Sequence, residues 1–458
     1  MNGEAKVESV LALEKQIREH EKAIINLKRD RNALLNISTL PPEVLGRIFQ
    51  WNVTLQCEFG GLEDGSHNFL FVCHHWHEVT LHTPGVWSFW GNTLSDWARW
   101  YRYSATAPLD LVLGPGDQYE GGPFDGALHD TLQDRTARDT TRRIHLWTED
   151  ASLFSSIISS LTTVCEGVRS NSVESIILVN EGGDSEPMDV SEFFSHYRFP
   201  KLQHLNLYGC RITSWDLFTS RTAVLTTLIL HSNDPPPTLM TSQLLPILAS
   251  NPTLRKLSLS GCTTLPHDYG GKFHLRVSLH YLKELRLAGA FQDVFGLLHR
   301  LDHPGKMDDL KIILSDCAVT DIPHTIGPYL RDHFRRHGKS SNGLGLHIAE
   351  VQRHIILRFS DIRGAGTAPG KDVDWFFQID VCLDRTPSDI LEKGVLDLIA
   401  HTPQDDIVRF ESLCGLAAVE DISAQFPNLR ELHFERGFEI GTIRCPPYFR
   451  SRKLVRMR

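Results

Sequence analysis

The first ordered pattern of apolar positions runs from Val10 to Leu34. Taking Val10, Ile17, Ile24 and Arg31 as heptad position a puts Leu13, His20, Leu27 and Leu34 at d, and six of these eight are apolar. The spacing predicts one polar, strongly helical segment over 5–36. A second stripe follows: Val44, Leu45, Ile48 and Phe49 fall at i, i+1, i+4 and i+5 behind Pro41-Pro42-Glu43. The proline pair suits a first helical turn, and Glu43 meets the positive end of the helix dipole. Val72, Trp76 and Val79 repeat the spacing on a further short helix, and Trp97, Trp100 and Tyr101 on another. Roughly 50 residues cannot bury the large apolar groups between Leu40 and Trp87 alone, so that stretch needs a partner surface.

From residue 108 the apolar period falls to two. Leu109-Asp110-Leu111-Val112-Leu113 alternates like a strand, and Ile144-His145-Leu146 follows. A template then recurs: Val173-x-x-Ile176-x-Leu178, Leu202-x-x-Leu205-x-Leu207-x-x-Cys210, Leu225-x-x-Leu228-x-Leu230, Leu254-x-x-Leu257-x-Leu259-x-x-Cys262 and Leu282-x-x-Leu285-x-Leu287. Ile312-x-Leu314-x-x-Cys317 and, later, Leu429-x-x-Leu432-x-Phe434 extend it. Between equivalent second positions, from Ile176 to Ile312, the steps are 29, 23, 29, 28 and 27 residues. That fits one strand plus a helix or turn per repeat. Helix-like stretches at Ser242–Leu248 and Asp293–Leu301 fall between strands, and the cysteines occupy a position facing a buried turn. The rhythm degrades over 318–405, where His354–Phe359 and Trp375–Leu383 read as strands. They belong either to atypical repeats or to a β-rich insertion, and the sequence leaves both open. Asp406–Phe410 restores the rhythm before a basic tail, 446–458, which we expect to be solvated and disordered.

Two resemblances emerge from these residues. Leu40-Pro41-Pro42-Glu43-Val44-Leu45-Gly46-Arg47-Ile48-Phe49, then Val72-Cys73-His74-His75-Trp76, then Val86-Trp87 resembles the F-box, the motif that docks a protein onto the adaptor of SCF-type cullin–RING ubiquitin ligases. The 27 positions between Phe49 and Trp76 point to a loop insertion around Glu58–Gly65. The recurring template resembles an irregular leucine-rich-repeat solenoid, of the kind often attached to F-boxes in the large fungal F-box family. The expected fold class is therefore α/β: an N-terminal helix or coiled coil over 1–36, a small helical F-box over 37–90 and an aromatic joint over 91–107. A leucine-rich-repeat-like domain over 108–445 and the tail complete it. Two readings stay open for 5–36, a dimerising coiled coil or a helix packed on its own F-box.

The resemblance implies a substrate-recognition subunit that reaches a cullin through its adaptor, located in the cytoplasm or nucleus. The adaptor-facing residues would be Leu40, Pro41, Pro42, Val44, Leu45, Ile48, Phe49, Val72, Cys73, Trp76 and Trp87. Residues interleaved with the template's apolar positions point away from the buried face. Those that would hold a target protein are His204, Asn206, Tyr208, Lys256, Ser258, Glu284, Arg286, Glu431, His433 and Glu435. The alternative is a scaffold that binds the adaptor or another partner without ubiquitination.

Composition narrows the picture. A net charge of −9 argues against a general nucleic-acid binder. The aromatic cluster Trp87, Phe89, Trp90, Trp97, Trp100, Tyr101 and Tyr103 therefore reads as a hydrophobic joint rather than a base-stacking platform, although Arg99 and Arg102 interleave it. No apolar run approaches the ~20 residues of a membrane span, and Met1-Asn2-Gly3-Glu4 has no signal-peptide core. Nine scattered cysteines with no Cys-x-x-Cys read as reduced thiols. That compartment leaves the sequons at Asn36 and Asn52 without meaning.

Catalytic patterns are sparse. His74, His75, His77 and Glu78 offer only one helical pair with ligand spacing, His74 with His77, and read as solvent-facing residues rather than a metal site. Gly343-Leu344-Gly345 and Gly364-Ala365-Gly366 lack phosphate-loop context, and no Gly-x-Ser-x-Gly elbow appears. We expect no cofactor and no catalytic role within the chain; an enzyme concealed in 318–405 would need a clustered acid, base and nucleophile that the sequence does not show.

Overall fold

In a computed structural model of the chain, the described residues are 2–59, 68–91, 102–104, 107–113, 141–164, 172–182, 187–196, 199–219, 224–232, 239–261, 263–264, 276–304, 307–317, 322–337, 344–351, 354–361, 375–383, 399–402, 407–412, 426–428, 431–434 and 455–457. Trp97, Trp100, Tyr101, Cys262, Glu435, most of 58–65 and the glycine- and proline-rich stretch 114–123 fall outside them. The architecture is α/β with a mostly parallel sheet, in two compact units, Met1–Ile177 and Leu178–Arg458. The division falls inside the segment 108–445 that the sequence assigns to one domain.

The first unit opens with helix α1 (Asn2–Ala33) and a 3-10 turn (Asn36–Thr39). Helix α2 (Pro42–Phe59), a 3-10 turn (Asn68–Phe71), helix α3 (His74–Leu81) and another 3-10 turn (Pro84–Val86) follow. Next come strands β1 (Phe89–Gly91), β2 (Leu109–Leu113) and β3 (Thr141–Thr148), then helix α4 (Ala151–Val164). The three strands pair in parallel in the order β1-β2-β3. All of β2 is buried, including Asp110, and a buried carboxylate requires a partner. Arg142 supplies it from the start of β3, its Nε donating to Oδ1 at 3.1 Å and its Nη2 to Oδ2 at 2.7 Å. The core of this unit gathers Leu45, Phe49, Val53, Phe69, Val79, Val86, Trp87, Phe89 and Val112. Tyr103 leans on Trp87 with ring centroids 4.9 Å apart, so these two aromatics of the cluster pack on each other.

Strand β4 (Ser175–Asn180) leads into the second unit. There follow β5 (Met188–Asp189), α5 (Ser191–His196), β6 (His204–Tyr208), β7 (Cys210–Arg211), α6 (Asp216–Thr219), β8 (Thr227–His231), β9 (Leu239–Met240), α7 (Thr241–Ser250), β10 (Lys256–Ser260) and β11 (Thr263–Thr264). Then come β12 (Val277–Ser278), β13 (Glu284–Ala290), α8 (Phe291–Leu298), β14 (Leu301–Asp302), β15 (Asp309–Cys317), a π-helical turn (Ile322–Ile326) and α9 (Gly327–His337). Strands β16 (Leu344–Val351), β17 (His354–Asp361), β18 (Trp375–Leu383), β19 (Ile407–Ser412), β20 (Glu431–Phe434) and β21 (Val455–Met457) close the chain. Within this unit the main sheet runs β6-β8-β10-β13-β15-β18-β17-β16-β19-β20-β21.

The template predicts the register. Leu205, Leu228, Leu257, Leu285 and Leu310 stand side by side across five parallel strands, and Leu207, Leu230, Leu259, Leu287 and Ile312 form the next row. Each is at most 4% exposed, while most residues between them are half-buried or exposed. One face of the sheet is therefore packed and the other open. Leu310, rather than Ile312, is the second template position in its repeat, behind buried Met307, so that step is 25 residues. Cys317 accordingly lies two residues past the position that Cys210 occupies. It is buried on a strand that continues beyond a bulge to pair with Leu383.

Glycines make the turns that end β6 and β10. Gly209 and Gly261 sit at φ +62° and +63°, and a Cβ there would meet the carbonyl oxygens of Asn180 and Ser232 within 2.4 Å. Asn251 ties helix to strand: its Oδ1 accepts from Leu225 N at 2.8 Å, and its Nδ2 donates to Ile247 O at 2.8 Å and Phe218 O at 3.3 Å.

Over 318–405 the structure holds an antiparallel insertion. β18 pairs in parallel with β15, β17 runs antiparallel between β18 and β16, and β16 pairs in parallel with β19. Helix α9, which the strand-like reading of this region misses, precedes it. Three other expectations shift. α7 extends beyond Ser242–Leu248, α8 starts two residues before Asp293 and ends at Leu298, and Leu301–Asp302 is a strand. The basic tail is not wholly unstructured, because Val455 and Met457 alternate with its cations and pair with Leu432 and Phe434.

Candidate docking surface

Helix α2 begins as its sequence dictates. The Pro41 carbonyl accepts from Val44 N at 2.9 Å and Leu45 N at 3.1 Å, with Pro42 and Glu43 in the first turn. The apolar stripe then divides. Leu45, Phe49 and Val53 repeat every four residues on the inner side and are buried. Val44, Ile48 and Trp51 lie on the outer side, exposed by 43%, 42% and 67%. Sequence spacing joins the two rows because both are apolar.

The inner row is held firmly. Phe49 stacks on Phe69 with centroids 4.6 Å apart and near-parallel rings, and meets Trp76 at 5.0 Å. Trp87 is buried, its Nε1 donating to Thr80 O at 2.7 Å. At Gly46 a Cβ would come within 2.6 Å of Thr83 Oγ1, so that glycine sets the approach of α2 to the segment after α3.

The eleven residues assigned to the adaptor face therefore separate. Pro41, Pro42, Val44, Ile48 and Val72 are exposed, and Leu40, Cys73 and Trp76 are half-buried. Leu45, Phe49 and Trp87 are core residues that shape the face from beneath; contact with a partner would require unpacking them. Two exposed residues went unassigned, Trp51 and Phe71, the latter 85% exposed beside Val72. The signal for Trp51 was present in the i, i+7 spacing from Val44. Phe71 precedes the Val-Cys-x-x-Trp motif and carries no periodic signal.

Beside this face lies Glu78, with His74, His77 and His82 nitrogens 3.8–4.0 Å from its carboxylate. All are partly exposed. Among the described residues no group of His, Cys, Asp and Glu is arranged to hold a metal ion.

The second candidate surface is the open sheet face of the second unit. His204, Thr227, Lys256, Glu284 and Asp309 line one row across β6 to β15, and Asn206, Ile229, Ser258, Arg286 and Lys311 the next. Many of these groups satisfy one another. Lys256 Nζ lies 2.6 Å from Glu284, Arg286 Nη2 2.6 Å from Asp309, and His204 Nδ1 3.0 Å from Thr227 Oγ1. Ser258 is buried and bonds His231 Nε2 at 2.9 Å. Burial, with the Arg286 charge nearby, lowers the His231 pKa. Tyr208 stands beside His231, centroids 6.1 Å apart. Glu431 and His433 lie on β20, in register with Arg409 and Glu411. The face is polar and internally paired, with no stripe of one sign.

Cys210 is buried and its thiol is pushed up by desolvation, which removes it as a nucleophile. Among the described residues no helix is long and apolar enough to cross a membrane. No protein-family model matches the chain, and no curated protein matches it.

Proposed function

We propose that the chain is the substrate-recognition subunit of an SCF-type cullin–RING ubiquitin ligase, acting in the cytoplasm or nucleus. Its adaptor-facing residues are Pro41, Pro42, Val44, Ile48, Trp51, Phe71 and Val72. One observation carries the reading: an F-box-like motif presents large apolar side chains outward from a packed helical core. Burying them against an adaptor gains roughly 25 cal/mol per Å² of apolar surface, which solvent does not supply.

We read the second unit as an irregular leucine-rich-repeat-like solenoid whose open sheet face holds a target protein. Support comes from five parallel strands in leucine-on-leucine register, a packed face on one side and connecting segments that carry the helices. The chain's part in the reaction is proximity, since it raises the local concentration of a target lysine near the conjugating enzyme. In this reading the transfer chemistry belongs to other subunits.

The test is a pull-down with tagged adaptor and cullin. The wild-type chain should retrieve both. Val44→Asp combined with Ile48→Asp should reduce retrieval at least about tenfold with an unchanged thermal melt, because both positions are solvent-facing. Retrieval of adaptor without cullin would favour a scaffold. Equal retrieval by the double variant would overturn the docking assignment.

A further inference from the structure

Helix α1 carries its apolar residues into solvent. Val10, Leu13, Ile17, Ile24 and Leu27 are 51–68% exposed, and no residue of α1 belongs to the described core. Among the described residues of α1, none has an apolar side chain buried against α2 or α3. With 32 residues the helix spans about 48 Å. A single helix with its apolar seam in water draws little stability from that seam.

We propose that α1 pairs with α1 of a second copy of this chain, as an antiparallel coiled coil. The orientation follows from the two polar seam residues and the flanking charges. In a parallel pair, Arg31 would stack on Arg31 and His20 on His20. The flanking g-to-e contacts would be Ser9 with Glu14, Gln16 with Glu21, Ala23 with Lys28 and Asp30 with Leu35, none of them an ion pair. In an antiparallel pair a positions face d positions. Leu13 then meets Arg31, Ile17 meets Leu27 and His20 meets Ile24, each layer occurring twice by symmetry, while Val10 falls opposite Leu34, one residue past the end of α1. Each polar seam residue lies opposite an aliphatic one, and Arg31 can lay its stem on Leu13 while its guanidinium reaches water. Flanking contacts become Glu14 with Lys28, also twice, with Glu21 meeting Glu21 as the one opposed like pair. Glu14 already pairs with Arg18 on its own helix at 4.0 Å, but both side chains are more than half exposed, so this weak pair can exchange for the contact with Lys28. The pairing is independent of the ligase reading.

Sedimentation equilibrium on the purified full chain tests both pairing and direction. The wild-type chain should sediment at twice its chain mass, and Ile17→Asp should return it to the monomer with unchanged circular dichroism outside the helical signal of α1. Glu14→Lys should weaken the dimer Kd about tenfold, and Glu14→Lys with Lys28→Glu should restore it to within about twofold. A monomeric wild-type chain, as when another protein's helix is the true partner, would overturn the pairing. A dimer that tolerates Glu14→Lys, or that the double variant fails to restore, would overturn the antiparallel orientation.

Discussion

At Gly209 the backbone takes a conformation that costs an L-residue roughly 1–2 kcal/mol, and a side chain there would press on the Asn180 carbonyl. Gly209→Ala should therefore lower stability by at least about 2 kcal/mol, read from the urea midpoint, while Gly289→Ala, at φ +156° with 3.8 Å from its Cβ to the nearest neighbour, should cost backbone strain without the clash and lose less. The apolar template made the strands and their register legible from Leu202 to Leu287. It said nothing of these glycines, because a pattern of buried positions contains no information about the sign of φ. The register was lost at Leu310 for a related reason. Leu310, Ile312 and Leu314 are apolar at three successive positions of one face, so a two-residue slip keeps the pattern, sequence offers two alignments, and only the pairing with Leu285 and Leu287 selects one.

Helix α2 places residues of similar chemistry under opposite constraints. Phe49→Ala removes a ring stacked on Phe69 and should cost about 3–5 kcal/mol. Ile48→Ala, one residue earlier, should change stability by no more than about 0.5 kcal/mol. Thermal melts of the two variants check this contrast, and near-equal losses would contradict the inner and outer rows. The existence and start of the helix were legible from Pro42 and Glu43. Which half of its apolar stripe faces inward was not, since that depends on where Phe69, Trp76 and Trp87 arrive from later in the chain. The same limit hid α9, in which the buried residues Tyr329, Leu330, His333 and Phe334 are two aromatics, a histidine and one leucine rather than an aliphatic stripe.

At the scale of the molecule, buried histidines make the packing sensitive to acid. Burial, aided by the Arg143 charge, holds His145 down to a pKa of about 4, and burial also lowers His231 and His303. These rings are neutral when folded but take up protons near pH 6.5 when unfolded. Stability is therefore full above that pH and falls as pH drops from about 6.5 towards 4, where the His145 contribution levels off. His145 alone contributes up to about 3 kcal/mol of this loss. Urea unfolding at pH 7.5, 6.0 and 5.0 should show a falling midpoint, and His145→Gln should flatten the decline.

The insertion after β15 also has a consequence during synthesis. Each template strand up to β15 gains its next neighbour within about one repeat of further translation. β15 pairs instead with β18, which is complete only at residue 383, some 66 residues beyond the end of β15. At roughly 5–20 residues per second, its open edge waits about 3–13 s on the ribosome before its partner exists. In that interval the growing chain presents an unpaired strand edge rich in leucine and isoleucine, which makes it most vulnerable to pairing with another nascent chain.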